Sequence, residues 1–172
     1  MSRLRQLNDL VTSVDSEAKA ITIVKGVLPT MGEVIDSSAL GSSGVRNCSL
    51  IAQFIITYFT RGEVNYTQLV HTQTGWKETD KAVDFDLKKR LTKDPQAMLC
   101  EFGGHNAAIL REGSTYALYQ AWDNEYHVFP KLNDDGESHN IFGTGDETIA
   151  LINKEVNALQ AETGTPIKVI VA

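Results

Sequence analysis

Residues 103–122 read GGHNAAILREGSTYALYQAW, and this stretch decides the fold. Two runs of apolar and aromatic residues flank Glu112-Gly113, a pair that favours a two-residue hairpin turn between strands. With that turn His105 lies opposite Gln120, and the two side chains share one face of the sheet about 5 Å apart at Cβ. A loop widened to four residues keeps both side chains on that face, whereas an odd-sized loop breaks the relation.

Other segments extend this hairpin into a mostly antiparallel sheet. Short runs with alternating or β-branched character, bounded by turn residues, predict strands. The predicted strands are residues 21–24, 97–102, 105–110, 115–122, 126–129 and 167–171, with a polar turn at 133–138.

A mostly buried helix is predicted upstream of the hairpin, at residues 48–60, CSLIAQFIITYFT. Its polar residues recur every three or four positions in an otherwise apolar run, as in a helix with a thin polar stripe. Its β-branched content leaves a strand open as the alternative, and its length favours the helix. Asn47 is a good N-cap, and this cap places Cys48 in the first helical turn.

Two further helices complete a predicted α+β fold. A surface helix is expected at residues 81–91. A longer helix begins at Thr144, which forms a capping box with Glu147, and it ends at Gly164. Its apolar face consists of Ile149, Ile152, Val156 and Leu159.

The chain of 172 residues has the length and composition of one globular domain. We expect a helical arm over residues 1–40 and a core over residues 41–172. Lys and Arg number 16 against 22 Asp and Glu, for a net charge of −6, which disfavours nucleic acid and anionic membranes as partners. No apolar stretch reaches the roughly 18 residues of a membrane span, and no signal-peptide core is present near the N-terminus.

Cys48 occupies the position that a catalytic cysteine needs. The first turn of a helix has unpaired N–H groups and a partial positive charge, which lower the pKa of a thiol. The same N–H groups receive the oxyanion that forms when a thiolate attacks a carbonyl, with Asn47 or Arg46 as helpers. The glycine- and serine-rich residues 41–44 let a substrate backbone come close. The alternative is a buried cysteine that acts as a small apolar residue.

His105 needs a partner on its second ring nitrogen to serve as the base. That partner fixes the tautomer and stabilises the imidazolium. Gln120 ranks first by strand parity, and the carboxylate of Asp123 ranks second because it needs a bulge to reach the same face. Trp122 shares the face of Gln120 and is a candidate wall of the site. The alternative is a histidine that bonds locally at a strand start, beside a half-exposed glutamine.

Cys100 lies in a predicted strand and is expected in the core, and two cysteines are too few for a disulfide framework. A zinc site built from Cys48, Cys100 and His105 needs a fourth ligand, and no closely spaced pair of ligands supplies it. No glycine-rich phosphate loop is present. We therefore predict neither a cofactor nor a metal.

The segments GVRNCSLIAQF (residues 44–54) and GGHNAAILREGSTYALYQAW (residues 103–122) resemble the papain-like deamidases and proteases that bacteria use as effectors and toxins. These families place the cysteine at a helix start after an Asn-Cys approach. Their histidine opens a strand after glycine, and an Asp or Gln follows in the next strand. Most glutamine deamidases of one branch carry Asp there, whereas Gln120 is like the cycle-inhibiting-factor branch. Peptidoglycan amidases of the NlpC and CHAP types share the layout.

The resemblance implies a cysteine-dependent amidohydrolase, with Cys48 as nucleophile, His105 as base and Gln120, or else Asp123, as the orienting residue. It implies an effector that is cytoplasmic in the producing cell and leaves it without a signal peptide. The effector deamidates glutamine in a protein of a host or rival cell, and an immunity protein is an expected partner. The alternatives are a peptidoglycan amidase or endopeptidase toxin, a cysteine peptidase, and an inactive papain-like binding module.

Overall fold

A computed structural model describes residues 2–13, 22–23, 26, 47–60, 77–78, 85–103, 105–120 and 140–171, and of residues 47–51, 77–78 and 170–171 it describes the backbone alone. The helices are α1 (Arg3–Ser13), α2 (Asn47–Thr60), α3 (Leu87–Arg90) and α4 (Gly145–Thr163). The strands are β1 (Lys77–Glu78), β2 (Gln96–Phe102), β3 (His105–Glu112), β4 (Thr115–Gln120), β5 (Ile141–Thr144) and β6 (Lys168–Val171). The predicted α+β class is confirmed.

The six strands of the described part form one sheet in the order β1-β6-β2-β3-β4-β5. Each neighbouring pair is antiparallel, and β2, β3 and β4 follow one another as a meander. The predicted strands at residues 97–102, 105–110 and 167–171 are confirmed to within a few residues. The sheet also contains β1 and β5, which the sequence did not reveal.

Helix α4 covers one face of this sheet. Its predicted apolar face is confirmed, because Ile149, Ile152, Val156 and Leu159 are all buried. They join one apolar cluster with alternate residues of the central strands, among them Met98, Cys100, Phe102, Ala107, Ile109 and Leu118. Burial of a large aliphatic side chain contributes roughly 1.5–3 kcal/mol, so this layer is a main source of stability.

Helices α1 and α2 cover the opposite face. The two helices pack against each other, and α2 lies across β2, β3 and β4. Ala108 and Leu110 of β3 are fully buried and alternate with the residues that face α4. Tyr119 points to the same side, because its hydroxyl donates to Asn8 Oδ1 of α1 at 2.7 Å. The central strands are therefore buried on both faces, which explains why they read as nearly continuous apolar runs.

The direction of α2 follows from its contacts at one end. Arg3 Nη1 donates to the carbonyl oxygen of Phe59 at 2.8 Å, near the end of α2. The N–H of the next residue, Leu4, donates to Glu112 Oε1 at 3.3 Å, at the end of β3. Helix α2 therefore ends where β3 ends and begins toward the His105 end of the sheet. Its 14 residues rise about 20 Å, equal to about six strand residues.

The hairpin turn lies one residue later than predicted. Glu112 pairs with Thr115, so the turn is Gly113-Ser114 and not Glu112-Gly113. Gly113 has φ +63°, a conformation that glycine adopts at little cost, and its N–H donates to Asp94 Oδ1 at 2.7 Å. The correction shifts the strand register by two residues and therefore preserves which side chains share a face.

Three further predictions of helices and strands need correction, and the first concerns residues 21–24. Thr22, Ile23 and Gly26 have helical backbone, so the strand predicted at residues 21–24 is wrong where it is described. A β-branched run favours a strand when a partner strand and burial support it, and such support is not encoded locally. The strand at 126–129 and the turn at 133–138 lie outside the described residues.

Within residues 85–91, the surface helix predicted at residues 81–91 is limited to the single turn of α3, and residues 81–84 lie outside the described part of the chain. Asp86 is its N-cap in extended conformation, and the Asp86 side chain accepts from the Lys88 N–H. The N–H groups of Phe85 and Leu87 donate to side chains of α4, Asn157 and Asn153, each at 2.9 Å. These bonds hold the start of α3 against α4.

The capping box predicted for α4 is wrong, although its N-cap residue is correct. Thr144 is the N-cap, but its side chain makes no capping hydrogen bond. The N–H of Gly145 donates instead to the carbonyl of Ser114 in the hairpin turn, at 3.0 Å. Gly145 takes φ +80° at this junction, which directs the chain to that tertiary bond. The predicted end at Gly164 is confirmed by its left-handed conformation.

Gly143 of β5 is expected to tolerate no side chain. A Cβ at this position overlaps Thr148 Oγ1, which is fixed by its hydrogen bond to the Thr144 carbonyl at 3.1 Å. We expect Gly143→Ala to lower the free energy of unfolding by about 1–3 kcal/mol, measured by urea denaturation. In a Thr148→Ala background the same substitution should have little effect. An equal loss in both backgrounds would contradict the overlap.

Candidate active site

His105 and Gln120 form a buried hydrogen-bonded pair at one end of the sheet. His105 Nε2 lies 2.9 Å from Gln120 Oε1. The two side chains are 6% and 3% exposed. His105 opens β3 opposite Phe102, and Gly103 at φ +54° makes the turn between them. Such a conformation favours glycine, which accounts for Gly103 at this position of the turn.

The pair meets diagonally across two strands. Gln120 is directly opposite Ala107, and His105 is two residues before Ala107 on the same face. The sequence prediction of a shared face therefore agrees with the structure, whereas the predicted direct opposition does not. Diagonal neighbours are within reach when the side chains are long, as a glutamine and a histidine are.

The orientation of the Gln120 amide bears on which nitrogen of the imidazole carries the hydrogen. A glutamine oxygen can only accept, so the hydrogen of neutral His105 is on Nε2. The other nitrogen, Nδ1, is then the basic atom of the ring, and it is shielded from solvent. A histidine in this tautomer can take a proton through Nδ1 while Gln120 holds the ring in place.

Two residues that the sequence did not single out hold Gln120. Its backbone N–H donates to Asn140 Oδ1 at 3.1 Å, and its side-chain nitrogen donates to Glu155 Oε1 of α4 at 3.3 Å. A weak signal for Glu155 exists, because it stands three residues after Ile152 and four before Leu159, beside the apolar face of α4. No comparable signal exists for Asn140.

Cys48 is the second residue of α2. The helix predicted at residues 48–60 is confirmed and begins one residue earlier, so Asn47 is its first residue and not a cap outside it. The last turn of the helix lies near Glu112, at the other end of β3 from His105, and the helix packs on the opposite face from the His105–Gln120 pair. The side chain of Cys48 lies outside the described part of the structure.

The remaining predicted site residues are not placed. Arg46, Trp122 and Asp123 lie outside the described residues, and Asn47 is described by its backbone alone. Of the predicted set, the structure therefore brings together His105 and Gln120. Whether Asp123 also approaches the imidazole stays a prediction.

Cys100 is a core residue, as predicted. It is fully buried in the apolar cluster under α4, and burial raises the pKa of its thiol well above its usual range. A thiol in that state is a poor nucleophile. It therefore offers no competing candidate for the reactive cysteine among the described side chains.

The inertness of Cys100 is directly measurable in Cys48→Ala, where it is the one cysteine left in the chain. We expect iodoacetamide at pH 8 to alkylate it at least about a hundredfold more slowly in the folded protein than in urea, because reaction requires the core to open. Mass spectrometry of the intact chain measures both rates. Similar rates would show that the strand opens readily.

Within the part of the chain that the structure describes, no three His, Cys, Asp or Glu side chains gather as a metal site, and no helix has the length and apolar character to cross a membrane. Comparison with known proteins found no matching family model, no matching curated protein and no matching solved structure. The assignment of function therefore depends on the geometry of the site.

Proposed function

We propose that this protein is a cysteine-dependent amidohydrolase, with Cys48 as nucleophile, His105 as base and Gln120 as the residue that orients the base. The observation that carries the proposal is the buried bond between His105 Nε2 and Gln120 Oε1. It leaves Nδ1 as the basic atom at the end of the sheet where the helix of Cys48 begins. A cysteine, a base and an orienting acceptor are the components of acyl transfer through a thioester.

In the proposed reaction, the Cys48 thiol gives its proton to His105 Nδ1, and the thiolate attacks the carbonyl carbon of an amide. The N–H groups at the start of α2 receive the negative charge on the oxygen. The carbon–nitrogen bond breaks as His105 returns the proton to the leaving nitrogen. Water then loses a proton to Nδ1 and attacks the thioester, and the protonated imidazole returns that proton to the departing sulfur. The products are a carboxylic acid and ammonia or an amine.

The proposal makes one geometric demand. Because α2 and the His105–Gln120 pair lie on opposite faces, the thiol of Cys48 has to reach Nδ1 around the end of the sheet. Two features support this route. His105 is the first residue of β3, and α2 is long enough to reach the level of the first residues of that strand.

The preferred substrate is a glutamine side chain in a protein of a host or rival cell, as in the deamidases that the sequence resembles. Acidic composition and an amide-cleaving site do not distinguish it from a peptidoglycan amidase or a cysteine peptidase. The leaving group does: ammonia from a side chain leaves the polypeptide intact, whereas an amine from a main chain or a muropeptide leaves a shortened product.

The test uses the wild-type protein and Cys48→Ala, each incubated with a glutamine-containing peptide library and with purified peptidoglycan. Mass spectrometry reads deamidated full-length peptides, cleaved peptides or shortened muropeptides. We expect wild type to deamidate and Cys48→Ala to be inactive. Cleaved products would favour the peptidase or amidase, and equal products from the two proteins would contradict the role of Cys48. No product from wild type would favour an inactive binding module.

A further inference from the structure

Gln120 stands between a histidine and a carboxylate, and both contacts use its side-chain amide. The amide oxygen faces His105 Nε2 at 2.9 Å, and the amide nitrogen faces Glu155 Oε1 at 3.3 Å. The backbone of Gln120 is fixed separately by Asn140. A half-turn of the amide would exchange its oxygen and its nitrogen.

The two orientations of the amide have opposite consequences for His105. With the oxygen toward the ring, Nε2 carries the hydrogen and Nδ1 is the base. With the amide nitrogen toward the ring, Nε2 has to accept the hydrogen bond. The hydrogen of the neutral ring then lies on Nδ1, which can no longer act as the base. The shape of the amide does not choose between these orientations, because its oxygen and nitrogen are nearly equal in size.

Glu155 favours the first of these orientations. An ionised carboxylate accepts hydrogen bonds and donates none. The reversed amide would set its oxygen against a carboxylate oxygen, so that two acceptors meet in a half-buried position. We propose that Glu155 is a positioning residue, which holds the oxygen of Gln120 toward His105 and thereby keeps the hydrogen of the neutral imidazole on Nε2.

The effect of Glu155 on catalysis rests on the proposed function. Its effect on the tautomer of His105 does not depend on that function. Glu155 touches neither the thiol nor a substrate in this scheme, and it acts through Gln120. Removal of the carboxylate should therefore leave the fold and the bulk of the site in place and change the state of one ring. A changed tautomer of His105 in a variant that still folds would distinguish a positioning role of Glu155 from a structural one.

The test reads the tautomer of His105 by nitrogen NMR of the imidazole rings, with the His105 signal assigned by its absence in His105→Asn. Wild type should show the hydrogen on Nε2. Glu155→Gln offers either a donor or an acceptor to Gln120, and Glu155→Ala offers neither, so in both the ratio of the two tautomers should fall at least about tenfold. Glu162→Gln removes the same charge from an exposed position of α4 and should leave the ratio unchanged.

The inference is overturned if wild type carries the hydrogen on Nδ1, or if both Glu155 variants fold and keep the wild-type ratio. The rate of Cys48 alkylation, measured on the same samples, addresses the proposed function separately. A tautomer that depends on Glu155 while Cys48 stays as slow as an ordinary cysteine would support the role of Glu155 and contradict the hydrolase. Rapid alkylation of Cys48, together with a tautomer that does not change in the Glu155 variants, would support the hydrolase and contradict the role of Glu155.

Discussion

Replacing His105 with alanine is expected to slow alkylation of Cys48 by iodoacetamide at pH 7 about tenfold. An unassisted thiol is only a few per cent thiolate at this pH, whereas a cysteine paired with an imidazolium is mostly thiolate. The full gain in thiolate is not realised, because nucleophilicity falls as the pKa falls. The start of α2 still favours the thiolate in the variant, which also limits the loss. Hydrolysis of an amide should fall further, by about 10²–10⁴-fold, since the proton transfers lose their base.

The measurement is the alkylation rate at each cysteine, followed by mass spectrometry of proteolytic peptides. Cys100 is the internal control, because its burial should keep it silent in both proteins. His71→Ala controls for the loss of a histidine elsewhere in the chain. If Cys48 reacts at the rate of a free cysteine in wild type, and no more slowly without His105, the thiol does not reach the imidazole and the proposed hydrolase is wrong.

The shared face of His105 and Gln120 was predictable because it depends on strand parity alone. The predicted turn lies one residue too early, yet this error moves the register by two residues, and a shift of two returns every side chain to its own face. The alternating sequence pattern did not indicate which helix packs on that face. Both faces of β3 are apolar, so the pattern could not show that α4, and not α2, covers His105.

The elements that were missed share a dependence on distant contacts. Strand β5 contains Gly143 and has no alternating pattern, and it is a strand because it pairs with β4. Glu155 and Asn140 gained their roles from where α4 and β5 lie relative to Gln120. In contrast, α2 and the apolar face of α4 were predictable, because a helical period over more than ten residues is a local property of the sequence.

Replacing Phe102 with alanine is expected to lower the free energy of unfolding by about 3–5 kcal/mol. Phe102 is among the largest fully buried side chains, and it lies in the cluster under α4 directly opposite His105. Its removal leaves a cavity where β2 and β3 join. Since a domain of this kind is stable by only about 5–15 kcal/mol, the change is a large fraction of the total.

Urea denaturation of wild type and Phe102→Ala measures the difference, with Leu151→Ala as the matched control. Leu151 is a large apolar residue of α4 that is 52% exposed, so its truncation should change the free energy of unfolding by less than about 0.5 kcal/mol. A loss below about 1 kcal/mol for Phe102→Ala would contradict its burial. The same cavity should loosen the ring of His105, because Phe102 is its cross-strand neighbour. The rate of Cys48 alkylation in the folded Phe102→Ala variant should therefore fall toward the rate in His105→Ala. The packing of this hairpin would then affect the reactivity proposed for its histidine.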